Sequence, residues 1–501
     1  MASQSIAMPP PIGGWNTRDS LADMPETDAI IMDNYFPGTE DVTIRRGCEE
    51  HATGMSGNVE SLIDYVKLTG TGELFAANGE AIYDVSAAGA VGAAVSSGHA
   101  NDRWQHVQIG TAAGEFVRLV NGADTPLVYD GSTWATTPAI TGPTAANLVW
   151  INTHQRRLWF GEVDSLSAWY LAVNSIGGAA TEFSFKGILT GYIMAMGTWT
   201  RDSGDGTDDV AAFISSEGEV AIYQGIDPSA ADTWSLIGVF KIGKPIGRRC
   251  IIKAGTDLLL INQDGLVPLS SILTTDQSQT RLVALSDKIN SEVNTHVRDD
   301  SALFGWQPIV YPKGTMLIFN IPKSATSFHQ YVFNTLTGAA SKFTGWNAIC
   351  WGLMNKDIYF GSTDGVVYKA DTGTSDNGAN IAADALQAFS YFKSPTVRKI
   401  FKMVECVFQS DGDPNAAIDF NTDFTVGSPS GTAQSSPVNS ARWGIGRWGI
   451  GTWGTAGQIY KGWRGVRGVG RAGSVRVRIN TNSARPSWIA TNVIYEKGGS
   501  L

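Results

Sequence analysis

A phrase that returns along most of the chain constrains the fold more than any other feature. An apolar strand runs into a polar turn containing glycine, and a second strand, usually with tyrosine, follows. The clearest copies are ELFAANGEAIYDVS (73–86), FVRLVNGADTPLVYDGSTW (116–134), VAAFISSEGEVAIYQG (210–225), DLLLINQDGLVPLSS (257–271) and KDIYFGSTDGVVYKADTG (356–373). RRLWFGEVDSLSAWYLA (156–172) is a divergent copy, and TMLIFNIPKSATSFHQYVFNTLTG (315–338) is one with a longer turn. The turns recur at intervals of roughly 40 to 60 residues, and about four strands per 40–50 residues make one propeller blade. A strand–turn–strand unit cannot bury its own face, so such units must stack around a common axis. The spacing predicts an all-β chain whose centre, residues 51–385, is an irregular six- or seven-bladed β-propeller. The copies are degenerate and lack the Trp-Asp dipeptide of regular arrays.

Composition agrees where it matters. Glycine, at 57 of 501 residues, supplies turns, and 16 Trp, 14 Tyr and 20 Phe suit half-buried strands. With 43% apolar and 17% charged residues, neither a disordered chain nor a coiled coil fits. The four cysteines (Cys48, Cys250, Cys350, Cys406) are far apart and form no CxxC pair, which predicts free thiols in a reducing compartment. The first basic residue is Arg18 and no apolar run follows the start, so no secretory leader is expected. No stretch is long and apolar enough to predict a membrane-spanning segment.

The ends differ from the middle. Residues 1–50 read as an N-terminal docking arm. MPPPIGGW (8–15) is extended. MPETDAIIMDNYFPG (24–38) predicts a short helix, with Pro25 in the first turn, Glu26 and Asp28 at its start and Pro37 as its stop. DVTIRRG (41–47) alternates like a strand. A second helix is predicted in ALSDKINSEVNTHV, with Leu285, Ile289, Val293 and Val297 on one face and Ser286 as its N-cap. Residues 386–501 read as a β-sandwich platform: KIFKMVECVFQS and AAIDFNTDF flank the turn DGDPN, and SVRVRIN sets Val475, Val477 and Ile479 opposite Arg476 and Arg478. Between these strands lies a Gly/Ser/Pro stretch and the repeat RWGIGRWGIGTWG (442–454).

Charge divides along the same line. The chain carries −10, yet residues 424–495 contain eight Arg, one Lys and no acid. That segment is therefore basic, and the rest carries about −19. The overall charge disfavours a DNA-coating role. The basic, aromatic loop singles out Arg442, Trp443, Arg447, Trp448, Trp453, Trp463 and Arg464 as an interface, because Trp and Arg dominate protein contact hot spots. Internal packing of the tryptophans, or stacking on bases or sugars, are the alternatives.

Catalytic and cofactor patterns do not fit. GVFKIGKP (238–245) opens like a phosphate loop, but Pro245 stands where Ser or Thr would hold magnesium. GVGRAG (468–473) has dinucleotide-loop spacing, but a strand follows where a helix is needed. The acidic run RDSGDGTDD (201–209) lacks EF-hand spacing. His51, His99, His106, His154, His296 and His329 have no metal-ligand spacing. YDGSTW (129–134) faintly resembles the Asp-box turn of sialidases but occurs once. No catalytic residue, cofactor or metal is expected.

The opening phrase GGWNTRDSLADMPETDAIIMDNYFPGTEDVTIRRGCEEHATG (13–54) resembles the N-terminal segment of the tail nozzle, or tail tubular protein B, of short-tailed bacteriophages (podoviruses). The GG-x-N-x-R-D start, the DA-x-x-x-DN-x-FP core and the RRG ending carry the likeness. LSDKIN (285–290) and the RWG/TWG repeats fit the same group. The resemblance implies a virion structural protein, synthesised in the bacterial host cytoplasm and located in the virion tail. Six copies would form a homohexameric ring docked on the head–tail adaptor, supporting tail fibre or needle proteins, with a channel for retention and ejection of double-stranded DNA. It implies a propeller joined to a sandwich and no enzyme activity. Acidic channel walls would let DNA slide, and the basic region over residues 440–480 would face subunit or adaptor contacts. The alternatives are a carbohydrate-binding or glycoside-cleaving propeller acting in receptor binding, and an adaptor or plug of another type.

Overall fold

A computed structural model of the chain describes residues 3–202, 207–230, 232–255, 257–272, 284–427, 436–437, 440–441, 452–453 and 457–498. Strands dominate it, and the repeated phrase folds as the spacing predicts. Antiparallel sheets follow one another around an axis. The first four have inner strands Val59–Val66, Gln105–Thr111, Leu148–His154 and Ile193–Asp202, each sheet having four strands. The fifth has, among the described residues, three strands, Ile251–Ala254, Asp257–Asn262 and Gly265–Pro268. The sixth runs from Gln307–Tyr311 to Ala340–Phe343 and the seventh from Ala348–Met354 to Val367–Thr372. Successive inner strands pack side by side, and Ala348–Met354 returns against Val59–Val66 to close the ring. Among the described residues the propeller thus has five four-stranded blades, a last blade of five strands counting the short Gly89–Ala90, and one three-stranded sheet.

Closure depends on the N-terminus. Gly47–Thr53 pairs antiparallel with Val367–Thr372 and supplies the fourth strand of the last blade. Stapling first to last this way closes the ring, and the short strand Gly89–Ala90 pairs with the outer side of Gly47–Thr53. A Cβ at Gly47 would lie 1.8 Å from the Ser375 carbonyl oxygen, so only glycine admits the strand at that point.

The platform is a sandwich of two sheets. One is centred on Lys399–Ser410, flanked by Ser487–Lys497 on one side and by Gln458–Lys461 and Arg464–Gly470 on the other. The second runs Ala417–Thr422, Gly473–Thr481, Ile381–Gln387 and Asp28–Asp33. Val475, Val477 and Ile479 face inward against Val404 and Phe408, as their alternation predicts. Arg476 and Arg478 lie on the other side of the strand, and both grip Asp384 at 2.7 Å. Burial would raise that carboxyl, but the guanidinium hydrogen bonds outweigh it and hold it below the usual range. Two arginines of the acid-free segment thus share one carboxylate, which offsets one of their two positive charges within the chain.

The arm corrects the sequence reading. Residues 24–38 contain no helix; Asp28–Asp33 and Tyr35–Pro37 are strands. The helix-start pattern was real but local, and pairing with Ile381–Gln387 and with Val42–Ile44 overrides it. Ser3–Met8 pairs with Ser487–Lys497. The second helix forms, as a 3-10 turn over Asp287–Ile289 followed by Asn290–Asp300. Ile289, Val293 and Val297 are buried, but Leu285 is exposed because it precedes the helix. Ser286 makes no N-cap hydrogen bond; its hydroxyl accepts from the Leu266 amide and donates to the Asn290 side chain. All four cysteines are free and buried, with thiols pushed up to about 12, chiefly by burial.

His154 ends the inner strand of the third blade, 2% exposed, and burial pulls its pKa down to about 4. His329 is pulled to about 3, first by burial and then by His296. Both are neutral in the folded chain, while the unfolded chain takes up protons below about 6.5. Their stabilising contribution is therefore complete above pH 6.5 and is lost as pH falls toward 4 and 3. Between pH 7 and 4.5 the His154 share is on the order of 2–3 kcal/mol. His154→Gln should flatten the fall in denaturation midpoint over that interval; an unchanged slope contradicts this.

Candidate functional site

The residues that make the opening phrase distinctive converge on two polar clusters where the arm meets the rest of the chain. In the first, Asp28 is 1% exposed and both its carboxylate oxygens accept from Lys288 Nζ at 3.0 Å. Asn16 donates to Asp28 at 2.7 Å and to Asp19 at 2.9 Å. The Asn16 side-chain oxygen accepts from the amides of Arg18 and Asp19, which shapes the turn. Arg18 pairs with Asp287 and with Asp19. Gly13 is required because a Cβ would lie 2.0 Å from the Asp28 carboxylate. Gly14 has φ +81°, and a Cβ there would lie 2.7 Å from the Ala340 backbone. The GG-x-N-x-R-D start and the LSDKIN phrase, some 270 residues apart, thus form one site.

The second cluster is built on Arg45, whose side chain is fully buried. It donates to both carboxylate oxygens of Asp376 at 2.8 and 2.6 Å, to Asn34 at 2.8 Å and to the Arg46 carbonyl at 2.8 Å. Its guanidinium lies 4.6 Å from the Trp346 ring centroid. Asn34, at φ +59°, donates onward to Thr344 and to the Ala382 carbonyl, both at 2.8 Å. These contacts tie the arm to the propeller's sixth and seventh sheets and to the platform. A third tie lies between them: Asp33 pairs with Lys342 in register and by an ion pair at 2.9 Å, joining the sixth blade to the platform sheet.

The Trp/Arg loop sits elsewhere. Arg442, Trp443, Arg447 and Trp448 lie outside the described residues, and of Trp453 only its place in the short strand Thr452–Trp453 is described. Trp463 is exposed, at the break between Gln458–Lys461 and Arg464–Gly470, and Arg464 is half-buried beside it. Both lie along the outer edge of the platform's first sheet.

A further cluster that sequence reading missed surrounds the mouth of the propeller axis. Residues 301–306 cross it, and the Phe304 ring is held between Arg103 at 4.4 Å and Arg249 at 5.1 Å. Arg103 pairs with Glu60 at 3.1 Å. Arg249 donates to the Glu60 carbonyl, the Ser61 hydroxyl and the Trp104 carbonyl, bridging the first two blades. Deeper in, His106 and Asp64 lie 2.7 Å apart. The only sequence signal was the Arg248–Arg249 pair entering an apolar strand. The suspected motifs are structural. Lys244 of GVFKIGKP pairs with Glu217 at 2.7 Å, GVGRAG joins two strands, and Asp130 of YDGSTW accepts from Ser132 and Thr133 in a turn that holds its carboxyl at about 2. No cluster of metal-ligating side chains occurs among the described residues.

No family model matches the chain, and no curated protein matches it. Among solved structures, BBS1N in complex with ARL6DN is 9% identical with a TM-score of 0.42, covering 66% of this chain and 99% of its own. YCF48 from Cyanidioschyzon merolae is 11% identical with a TM-score of 0.37, covering 65% and 98%. The Myceliophteria thermophila Cps50 (Swd1) beta-propeller domain is 10% identical with a TM-score of 0.41, covering 65% and 99%. These similarities are too low to bear on function.

Arg45→Met should leave Asp376 largely buried without its partner and lower stability by about 3–5 kcal/mol. Asp376→Asn should cost a similar amount, and the double variant clearly less than the sum. Denaturant titration of the three variants checks this; additive losses contradict a coupled pair.

Proposed function

We infer that this chain is a structural virion protein of a short-tailed phage, one subunit of the tail nozzle ring. One observation carries the reading. The residues that bear the resemblance are those that join the propeller to the sandwich: Gly13, Gly14, Asn16, Arg18, Asp19, Asp28, Asn34, Arg45 and the LSDKIN pair Asp287 and Lys288. The likeness therefore lies in the part that defines the architecture, not in a surface tag. A propeller and a platform sharing a continuous sheet suit a load-bearing ring subunit better than a mobile binding module.

In this reading the DNA path runs between subunits. The cavity at a single propeller's mouth is about 530 Å³, the size of a small-molecule site, and Phe304 crosses it. Its wall is also basic rather than acidic, through Arg103, Arg248 and Arg249. The acidic excess of the chain would line the ring channel, and the Trp463–Arg464 edge with the preceding Trp/Arg repeat would meet a neighbouring subunit or the head–tail adaptor. In the two cavities near the mouth, Glu60 is paired with Arg103 and Asp64 is hydrogen-bonded to the His106 ring, which favours a non-catalytic role over a glycosidase.

Quantitative peptide mass spectrometry of purified virions tests the proposal. The resemblance implies six copies against a dodecameric portal, hence a one-to-two ratio. A one-to-one ratio would make the chain an adaptor-type component, and absence from virions would contradict a structural role.

A further inference from the structure

Two of the cavities along the propeller axis share a wall where the chain enters the fifth sheet. One, about 530 Å³, opens where the inner strands begin; the other, about 320 Å³, is walled by residues from all seven inner strands. Gln105, Arg248 and Arg249 belong to both walls. Three guanidinium groups reach this space, and two are engaged: Arg103 by Glu60, and Arg249 by two backbone carbonyls and a hydroxyl. Arg248 is not. Its Nη1 is shielded from solvent and has no hydrogen-bond partner, and its nearest aromatic ring, Tyr192, is 5.5 Å from the guanidinium carbon. No carboxylate among the described residues pairs with it. Burial lowers its pKa from the usual arginine range, outweighing the raising effect of Tyr192 and of Asp164, which forms no ion pair with it. Such a group is costly unless an acceptor reaches it. The wall of the larger cavity also includes the apolar side chains of Val149, Phe328 and Ile349.

We propose that the axial chamber binds a small oxyanion, a phosphate or carboxylate group that accepts from the buried Nη1 of Arg248 in the field of Arg103 and Arg249. An arginine fork matches both anions, and low local polarity strengthens the charge-assisted bond. Arg248 sits between the two cavities, so the anion is held at the waist and any apolar body lies toward Val149 and Phe328. This site does not depend on the nozzle reading.

Calorimetric titration of the full chain with sodium phosphate, and separately with sodium benzoate, at matched ionic strength tests it. Saturable single-site binding of at least one probe is expected, weakened by about 10-fold or more in Arg248→Met. The probe that binds identifies the anion class. No saturable binding of either, or binding unchanged by the substitution, overturns the proposal. Should Arg248→Met fail to fold, Arg248→Lys keeps the charge but lacks the fork. Binding as tight as in the unmodified chain would then overturn it equally.

Discussion

A single buried guanidinium holds the architecture together. Arg45 lies in dry surroundings, where a cation is tolerated only with its donors satisfied and a counter-charge in contact. Asp376, Asn34 and the Arg46 carbonyl provide that, and they come from different parts of the chain. The arm can leave its place only by separating a buried ion pair. Two residues on, the strand Gly47–Thr53 completes the last blade. Eleven residues back, Asn34 follows the strand that joins the platform sheet to the sixth blade. Propeller closure and sandwich assembly are thus coupled through one short segment.

That coupling explains why so polar a phrase lies inside a protein. Asp28 and Lys288 are a second pair of the same kind, less fully enclosed because Lys288 keeps contact with solvent. A hydrophobic replacement at either site could be as stable, but it would not fix which segment meets which. Directional pairs select the partner, and the glycines at positions 13, 14 and 47 remove every side chain that would block the approach.

The propeller was legible because its information is local: strand, glycine turn, strand, repeated. The fifth sheet, with three strands among the described residues, did not stand out, since its hairpin Asp257–Asn262 and Gly265–Pro268 repeats the phrase like the others. The arm misled for a physical reason. Pro25, Glu26 and Asp28 form a fair helix start, but Ala29 and Met32 are fully buried in a sheet whose partner strand lies some 350 residues away, and Tyr35 is fully buried in a strand paired with Val42–Ile44. Local preference worth tenths of a kcal/mol yields to that burial. SVRVRIN was read correctly on both faces, though its partner Asp384 could not be foreseen. The axial cluster of Arg103, Arg248, Arg249 and Phe304 left no more in the sequence than the Arg248–Arg249 pair, because loops from different blades bring it together only when the ring closes.

The central claim is that the arm, the propeller and the platform form one cooperative unit. Native-state hydrogen exchange resolved to peptides tests it most directly. Amides of Asp28–Asp33 and Gly47–Thr53 should exchange with the same opening free energy as those of Val367–Thr372 and Ile381–Gln387, and all four should fall together in denaturant. Arm amides that exchange earlier, through a separate low-energy opening that leaves both domains protected, would contradict the account.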